Sequence, residues 1–546
     1  MPESSSVPSI RRDHLLVTAT LLIASAWAWW LVQPGGPLCG VFGVAVLWPA
    51  LLVRASMRAG RGWLAAVLAW LAFLGPWAVC LEWVRHVSVA GYPALVAYSA
   101  AWPAVFVALI RWIGAGWPRL PWSVLAGVTW VSLEYLRAEV VFDAWPFHLA
   151  GHSQWGGPET MLASVGGIWL VGMLVVSAGG AVAGMVTRRV AAWPRAVEAG
   201  LPVLLILLAA VVSAPRPSEA PPLRVLGVQT NLPQSNKIGW SAEQQAEDVP
   251  AFLRQTKDGL AAAEADLVVW PETMVPGLGF EPATLALLRD IGSAATPWSR
   301  WPRAIMAAAT QSGIPWIVGT PTWVDVDVVD GMLEPGARFN SGVLVEPGGA
   351  TSRVDKVFLT PFGETMPYVR AWPWLEALVM DVGASGMRFN LDAGAAPSRL
   401  VLEYGDIGDW WLAVPICFED AVPSVTRSMC VRDGRVAADV IVNISNDGWF
   451  GESDAGRAAH AAAAAWRAVE MGRPMLRVAN TGYSGLYLPD GSTRQQTQAR
   501  VQATDLFVIP RYGGRTLQAW WGNWVPRLCL LALFAGIVMR WRSGRT

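Results

Sequence analysis

The chain has 546 residues, enough for two or more domains; 53% are hydrophobic and only 15% charged, against roughly 25% charged in an average soluble domain. Formal charge sums to zero, which leaves no electrostatic ground for a nucleic-acid partner. Five cysteines, with Cys39, Cys80 and Cys529 in apolar runs, do not make a disulfide framework, and 33 tryptophans suit anchoring at a membrane interface.

The charge deficit sits in the first 215 residues. Apolar segments recur there at 15–32, 38–53, 63–81, 92–113, 122–136, 161–186 and 201–213, and once more at 526–541. A spanning helix needs about 20 apolar residues, so these segments predict seven membrane helices before the polar region and one after it. The second, fifth and seventh are short and could be re-entrant. Arg11 and Arg12 precede the first segment, but no small-residue cleavage site follows, so it is read as a retained helix and not a signal peptide. With a cytoplasmic N-terminus, Arg54, Arg58, Arg61, Arg119, Arg188, Arg189, Arg195, Arg540, Arg542 and Arg545 fall inside, leaving little more than Arg85 and Arg137 outside. That asymmetry follows the positive-inside rule and predicts an extracytoplasmic location for the polar region.

Ala214 to Pro222 reads as a linker by composition. Beyond it, predicted strands at 223–229, 266–270, 316–319, 341–345, 411–416, 440–444 and 476–478 alternate with helices at 241–264, 282–293 and 455–471. This alternation predicts one α/β domain. The expected division is 1–214 bundle, 215–222 linker, 223–515 catalytic domain, and 516–546 final membrane helix with a short tail.

Three stretches carry chemistry. The run from Trp410 to Ile416 delivers Cys417 to a turn, with Glu419 and Asp420 just beyond; Leu267 to Pro271 ends at Glu272; and the stretch from Val354 to Glu364 offers Lys356 and Glu364. A thiol is a weak nucleophile until ionised. Glu272 is suited to take its proton, Lys356 to stabilise thiolate and oxyanion, and the Phe418 N–H to serve as a second oxyanion donor. Taken singly, Cys417 could be a small core residue, Glu272 a helix cap and Lys356 a solvated lysine. Four of the five histidines (His14, His86, His148, His152) belong to the membrane part and His460 to a helix, which weakens a Cys-His protease reading. No His/Cys/Asp cluster has metal-ligand spacing, and nothing demands a cofactor.

Glu, Lys and Cys in that order resemble the catalytic set of the nitrilase superfamily. The wider pattern resembles its membrane-embedded branch, the apolipoprotein N-acyltransferases. The resemblance rests on Gln229-Thr230-Asn231-Leu232-Pro233-Gln234 with Trp240, on Trp270-Pro271-Glu272, Asp355-Lys356, Pro361-Phe362-Gly363-Glu364 and Ile416-Cys417-Phe418-Glu419. It continues through Asn443-Ile444-Ser445-Asn446-Asp447-Gly448-Trp449-Phe450-Gly451 and Glu470-Met471-Gly472-Arg473-Pro474. In the membrane part, Trp145-Pro146-Phe147 and Gly151-His152-Ser153-Gln154 resemble the family's loop between its fifth and sixth helices. Phe418 and His152 stand where tyrosine is usual, and Val357 where Arg or His is frequent.

The resemblance implies a multi-pass α-helical membrane bundle of about eight helices plus an α/β nitrilase-like αββα sandwich. It implies Glu272 as base, Lys356 as oxyanion stabiliser and Cys417 as acylated nucleophile. Glu364 would tune them and Glu419 would shape the site entrance, while Trp240 on a mobile arm, Asn446 and Trp449 would meet substrate. The implied reaction moves an acyl chain from a phospholipid, through a Cys417 thioester, to the amino group of a diacylglyceryl apolipoprotein. The protein is expected to be a monomer in the bacterial inner membrane, with both termini cytoplasmic. Trp298, Trp301, Trp372, Trp374, Trp520, Trp521 and Trp524 are candidate interfacial anchors. The rivals are a membrane-tethered amidase or nitrilase acting on a soluble C–N bond, and a non-catalytic lipid-binding or transport protein.

Overall fold

A computed structural model describes residues 7–58, 61–187, 192–233, 240–292, 297–365, 391–403 and 408–543. Gln234, Arg188, Arg189, Arg545, Trp372 and Trp374 lie outside them. The chain forms two compact units, Met1–Ser213 with Trp521–Thr546, and Ala214–Trp520.

In the first unit every predicted apolar segment is helical: Val7–Val32, Phe42–Arg58, Gly62–Cys80, Gly91–Gly116, Trp122–Tyr135, Ala163–Thr187, Ala192–Val211 and Trp524–Ser543. Among the described residues, five stretches are long and apolar enough to cross a membrane: His14–Val32, Gly62–Cys80, Gly91–Gly116, Pro158–Val186 and Trp524–Ser543. The other three helices correspond to the short segments. One has 17 residues interrupted by Pro49, one has 14, and the third contains Pro202. Beyond Trp122–Tyr135 the chain reverses through Phe142, Asp143 and Ala144, all at positive φ. The following loop is tied to the helix end. Arg137 donates to the carbonyls of Trp145 (3.1 Å) and Phe147 (2.9 Å), and Glu134 accepts the Ala150 N–H at 2.8 Å. His152 is buried, its Nδ1 accepting the Leu149 N–H within the same loop.

In the second unit two six-stranded sheets stack. The first runs, in spatial order, Ala503–Ile509, Leu223–Gln229, Leu267–Val269, Trp316–Val329, Met332–Val345, Thr351–Asp355. The second runs Thr493–Gln496, Gly485–Tyr487, Met475–Ala479, Val440–Ser445, Trp410–Ala413, Arg399–Leu402. Successive side chains on a strand point to opposite faces, and the sequence obeys this strictly. Leu223, Val225, Leu267, Val269, Ile317 and Leu344 face the core between the sheets, with Val440, Val442 and Ile444 opposite them. Their neighbours Leu226, Val228, Val268, Trp270, Val318 and Val343 pack outward against Val249, Phe252 and Ile305 of the covering helices. The Ala-rich helix Asp454–Met471 packs on the strand Met475–Ala479. Ser453 caps its start by accepting the Gly456 N–H, and left-handed Gly472 ends it. The layers make the expected αββα sandwich.

The tryptophans divide. Trp301 is a core residue, 3% exposed, which corrects its reading as an anchor: helix Pro297–Ser312 turns it into the cluster under the first sheet. Trp298, Trp520 and Trp521 are about half exposed.

Candidate active site

The functional side chains obey one rule: each lies just past the carboxyl end of a strand, where α/β sheets place their sites. Glu272 follows Leu267–Val269, Lys356 follows Thr351–Asp355, Cys417 follows Trp410–Ala413, Asn446 follows Val440–Ser445, and Asn480 follows Met475–Ala479. Glu272 and Lys356 therefore come from one sheet, and Cys417 from the other. Hydrogen bonds sew the two sets of strand ends together. Glu272 Oε2 accepts the Asn446 N–H at 2.8 Å, and Thr230 Oγ1 donates to Asn480 Oδ1 at 2.8 Å.

Glu272 is 5% exposed. Its Oε1 accepts Asn340 Nδ2 at 2.7 Å and lies 3.8 Å from Lys356 Nζ. Gly319 permits this placement, because a Cβ there would fall 2.5 Å from Glu272 Cα and 2.4 Å from the Thr273 nitrogen. Lys356, 1% exposed, holds Glu364 Oε2 at 2.6 Å and donates to Thr360 Oγ1 at 3.3 Å. Burial alone would lower its pKa, but Glu364, then Cys417 and Glu272, outweigh it and hold the ammonium charged. For Glu364 burial works toward a higher pKa and Lys356 reverses it, keeping the carboxylate ionised.

Cys417 opens a short helical turn, Cys417–Asp420, with φ at 53°. A left-handed conformation costs a non-glycine residue about 1–2 kcal/mol, and here it turns the thiol out of the strand line. Asn443 secures the turn from behind, donating to the carbonyls of Pro415 (3.1 Å) and Cys417 (3.3 Å). Burial, followed by the negative charge of Glu272, pushes the thiol well above its usual pKa, against the pull of Lys356. Cys417 thus rests as a neutral thiol, and Glu272 is the carboxylate whose charge bears on it most.

The structure corrects one expectation. Glu419 is not at an entrance; it is fully buried. Its Oε1 accepts the N–H groups of Val357 (2.7 Å) and Phe358 (2.9 Å), and its Oε2 that of Ile416 (2.7 Å). It clasps the lysine loop to the nucleophile turn, because three converging backbone donors need a carboxylate. Burial pushes its carboxyl up to about 7 against those donors. Phe418 is buried and stacks on Phe358, centroids 6.2 Å apart. Asn446 is buried, its Oδ1 accepting from Gly448 N and Asn480 Nδ2 while its own N–H is held by Glu272. Trp449 is 40% exposed. Trp240 is half-buried against the cluster under the first sheet, its ring N–H on Asp248 at 2.8 Å.

Asn340, Thr360, Asn443 and Asn480 escaped the sequence reading. Asn443 opens the stretch Asn443–Gly451, and its spacing from Asn446 is the signal that marks it. Asn340 sits within a strand, and nothing in the local sequence distinguishes it.

Residues 228–504 match the family described as carbon-nitrogen hydrolase, and residues 20–181 match the apolipoprotein N-acyltransferase N-terminal domain. Among curated relatives, an apolipoprotein N-acyltransferase of Geobacter metallireducens is 28% identical over 91% of this chain and 89% of its own. One from Methylococcus capsulatus is 29% identical over 91% and 92%. One from Pseudomonas aeruginosa is 28% identical over 97% and 95%.

Proposed function

The chain belongs to the carbon–nitrogen hydrolase family, and we propose that it works there as an apolipoprotein N-acyltransferase with Cys417 carrying the acyl chain. The observation that supports this most is the convergence of Glu272, Lys356 and Cys417 from strand ends of two sheets, in a chain that also carries the membrane bundle. Glu272 takes the thiol proton as Cys417 attacks the ester carbonyl of a phospholipid. Lys356 and a backbone N–H hold the oxyanion. The tetrahedral intermediate collapses, Glu272 returns the proton to the departing alkoxide, and a lysophospholipid leaves a thioester behind. The α-amino group of a diacylglyceryl-cysteine then attacks the thioester and gives a proton to Glu272. The amide forms, the thiolate departs, and the proton returns to Cys417.

Both substrates are anchored by apolar chains, at about 0.8 kcal/mol per buried CH₂. A bundle that keeps the enzyme in the same bilayer therefore serves the reaction. The protein is a multi-pass inner-membrane enzyme acting on lipoproteins with a phospholipid donor. Eight crossings, cytoplasmic termini, a periplasmic catalytic domain and a monomeric state complete the proposal. The half-exposed Trp449 and the Trp240 segment are assigned to lipid contact, and Glu364 to tuning Lys356.

The test is intact mass of the detergent-purified protein after incubation with phosphatidylethanolamine. The expected result is a fatty-acyl adduct, absent from Cys417→Ala, that passes to a diacylglyceryl lipopeptide. Absence of any adduct, together with turnover of a small amide, would replace this reading with a membrane-tethered hydrolase.

A further inference from the structure

Beside the reacting trio lies a second group of ionisable side chains that no step of the transfer uses. Asp420 ends the helical turn that Cys417 begins. Asp447 adjoins Asn446, whose N–H holds Glu272. His460 reaches both: Nε2 lies 2.9 Å from Asp420 Oδ1 and Nδ1 lies 2.9 Å from Asp447 Oδ1. Arg477 closes the group, with Nη2 at 2.8 and 3.0 Å from the two Asp447 oxygens and Nε at 3.5 Å from Asp420 Oδ2. Ser445 Oγ donates to Asp447 Oδ1 at 3.0 Å. All four charged groups are at most 2% exposed. Space is fitted to them: a Cβ on Gly482 would fall 1.9 Å from Asp447 Oδ2.

We propose that His460 is a positioning residue, a doubly donating imidazolium that fixes the spacing between the turn bearing Cys417 and the loop that holds Glu272. The inference rests on the reading of those two residues as nucleophile and base. An imidazole can donate to two carboxylates only when both nitrogens carry protons. Arg477 Nη2 lies 3.0 Å from Nδ1 and opposes the charge, as burial does more strongly. Asp420 and Asp447 overcome both and raise the pKa to about 9. Among the described residues, Tyr487 couples to this network through Arg477, Asp420 and Asp447, and Arg457 and Cys417 itself couple to it through Asp447. Losing the imidazolium proton leaves a carboxylate facing a lone pair, and one of the two loops shifts.

The test compares full-length wild type, His460→Gln and Asp420→Asn in detergent, reading single-turnover acylation by phosphatidylethanolamine across pH and iodoacetamide alkylation of Cys417 at neutral pH. A displacement on the order of 1 Å costs about 10²-fold in rate. His460→Gln is therefore expected to acylate about 10²-fold more slowly, with the half-saturating phospholipid concentration unchanged. The wild-type rate should fall above pH about 9, as the imidazolium is lost, and His460→Gln should lack that limb. A variant that only lowers the thermal midpoint, keeping the rate per folded molecule and the alkaline limb, overturns the proposal. If the variants do not fold, the wild-type profile decides: a limb near that pH supports the role, and its absence overturns it. If wild type forms no acyl adduct at all, the transferase reading fails separately. Alkylation then reads the positioning: slower in His460→Gln upholds it, equal rates sink it.

Discussion

Two charge clusters meet at the turn that carries Cys417, and they are composed differently. Glu272, Lys356 and Glu364 bring two carboxylates and one cation. Asp420, Asp447, His460 and Arg477 bring two carboxylates and two cations. All of these groups are buried except Glu364, which is partly exposed, so solvent can absorb little of the difference. In the first cluster burial, reinforced by the unmatched negative charge of Glu272, keeps the proton on Cys417, and the same carboxylate is the proposed acceptor. In the second every charge has an opposite, and no proton has anywhere useful to go. A cluster left one charge short of balance can do chemistry; a balanced one can hold geometry.

The sharpest break in the comparison is at the thiol itself. Cys417→Ala is expected to abolish acyl-adduct formation and lower transfer by about 10⁶-fold, the scale seen when an acyl-transfer nucleophile is removed. Stability should change by no more than about 1 kcal/mol, because the turn is held by Asn443 and Glu419 and not by sulfur. Adduct mass and a thermal melt of the same preparation check both halves. A folded variant that still carried an acyl group would assign the nucleophile elsewhere.

Lys356→Met tests the imbalance directly. It removes the proposed oxyanion donor, worth about 10²–10³ in rate. It also leaves Glu272 and Glu364 without their shared cation. Removing one partner of a buried pair costs about 3–5 kcal/mol, so this variant should lose stability as well as rate. Denaturant midpoint and single-turnover acylation report the two losses. A rate loss with no change in midpoint would mean that one carboxylate takes up a proton in the variant, visible as a shifted pH profile.

The balanced cluster predicts how stability depends on pH. His460 has a folded pKa raised from 6.5 to about 9. Its contribution is complete below 6.5 and is lost as pH rises through 9, and a shift of that size is worth about 3 kcal/mol. Asp447 is shifted the other way, far below its usual 3.8: burial opposes this, but Arg477 and His460 prevail. Its contribution is present above that ordinary value and is lost as pH falls below it. Denaturant midpoints across pH should therefore decline on both sides of a plateau lying between those two ordinary values, 3.8 and 6.5, with the alkaline decline already begun at neutral pH. His460→Gln should remove the alkaline decline and leave the acid one.

How far these clusters could be read from the sequence follows from how local their signals are. Glu272, Lys356 and Cys417 each sit at the end of an apolar, β-prone run, which a short window displays. The strands Leu223–Gln229 and Val440–Ser445 show the same directness: they lie within a residue of their predicted bounds. The strand predicted to stop at Gly319 continues to Val329. Its extension alternates Val and Asp and turns through Asp330-Gly331, both at positive φ, so the hairpin signal stands in the sequence itself. The edge strands Thr351–Asp355 and Thr493–Gln496 are short and polar, so periodicity had little to act on. His460 looked like any helical histidine. Its partners stand 40 and 13 residues away, and only the packing of a helix against strand ends brings them together. Glu419 was misplaced for the same reason: its neighbours in sequence do not reveal that two loops close over it.

Glu419→Gln gives the smallest of these effects and separates a clasp from a charge. The amide keeps the size and one oxygen, but turns an NH₂ toward backbone N–H groups of Val357 and Phe358, or of Ile416. A buried donor left facing a donor costs about 1–3 kcal/mol, so the denaturant midpoint should fall by that amount. The catalytic consequence depends on which loop yields. Loss on the Ile416 side loosens the nucleophile turn and should slow acylation. Loss on the Val357 side loosens the lysine loop and should weaken oxyanion stabilisation in both half-reactions alike. Measuring acylation and lipopeptide transfer separately distinguishes them. A variant with unchanged stability would mean that Glu419 is already protonated in the native protein and that the two loops hold together without its charge.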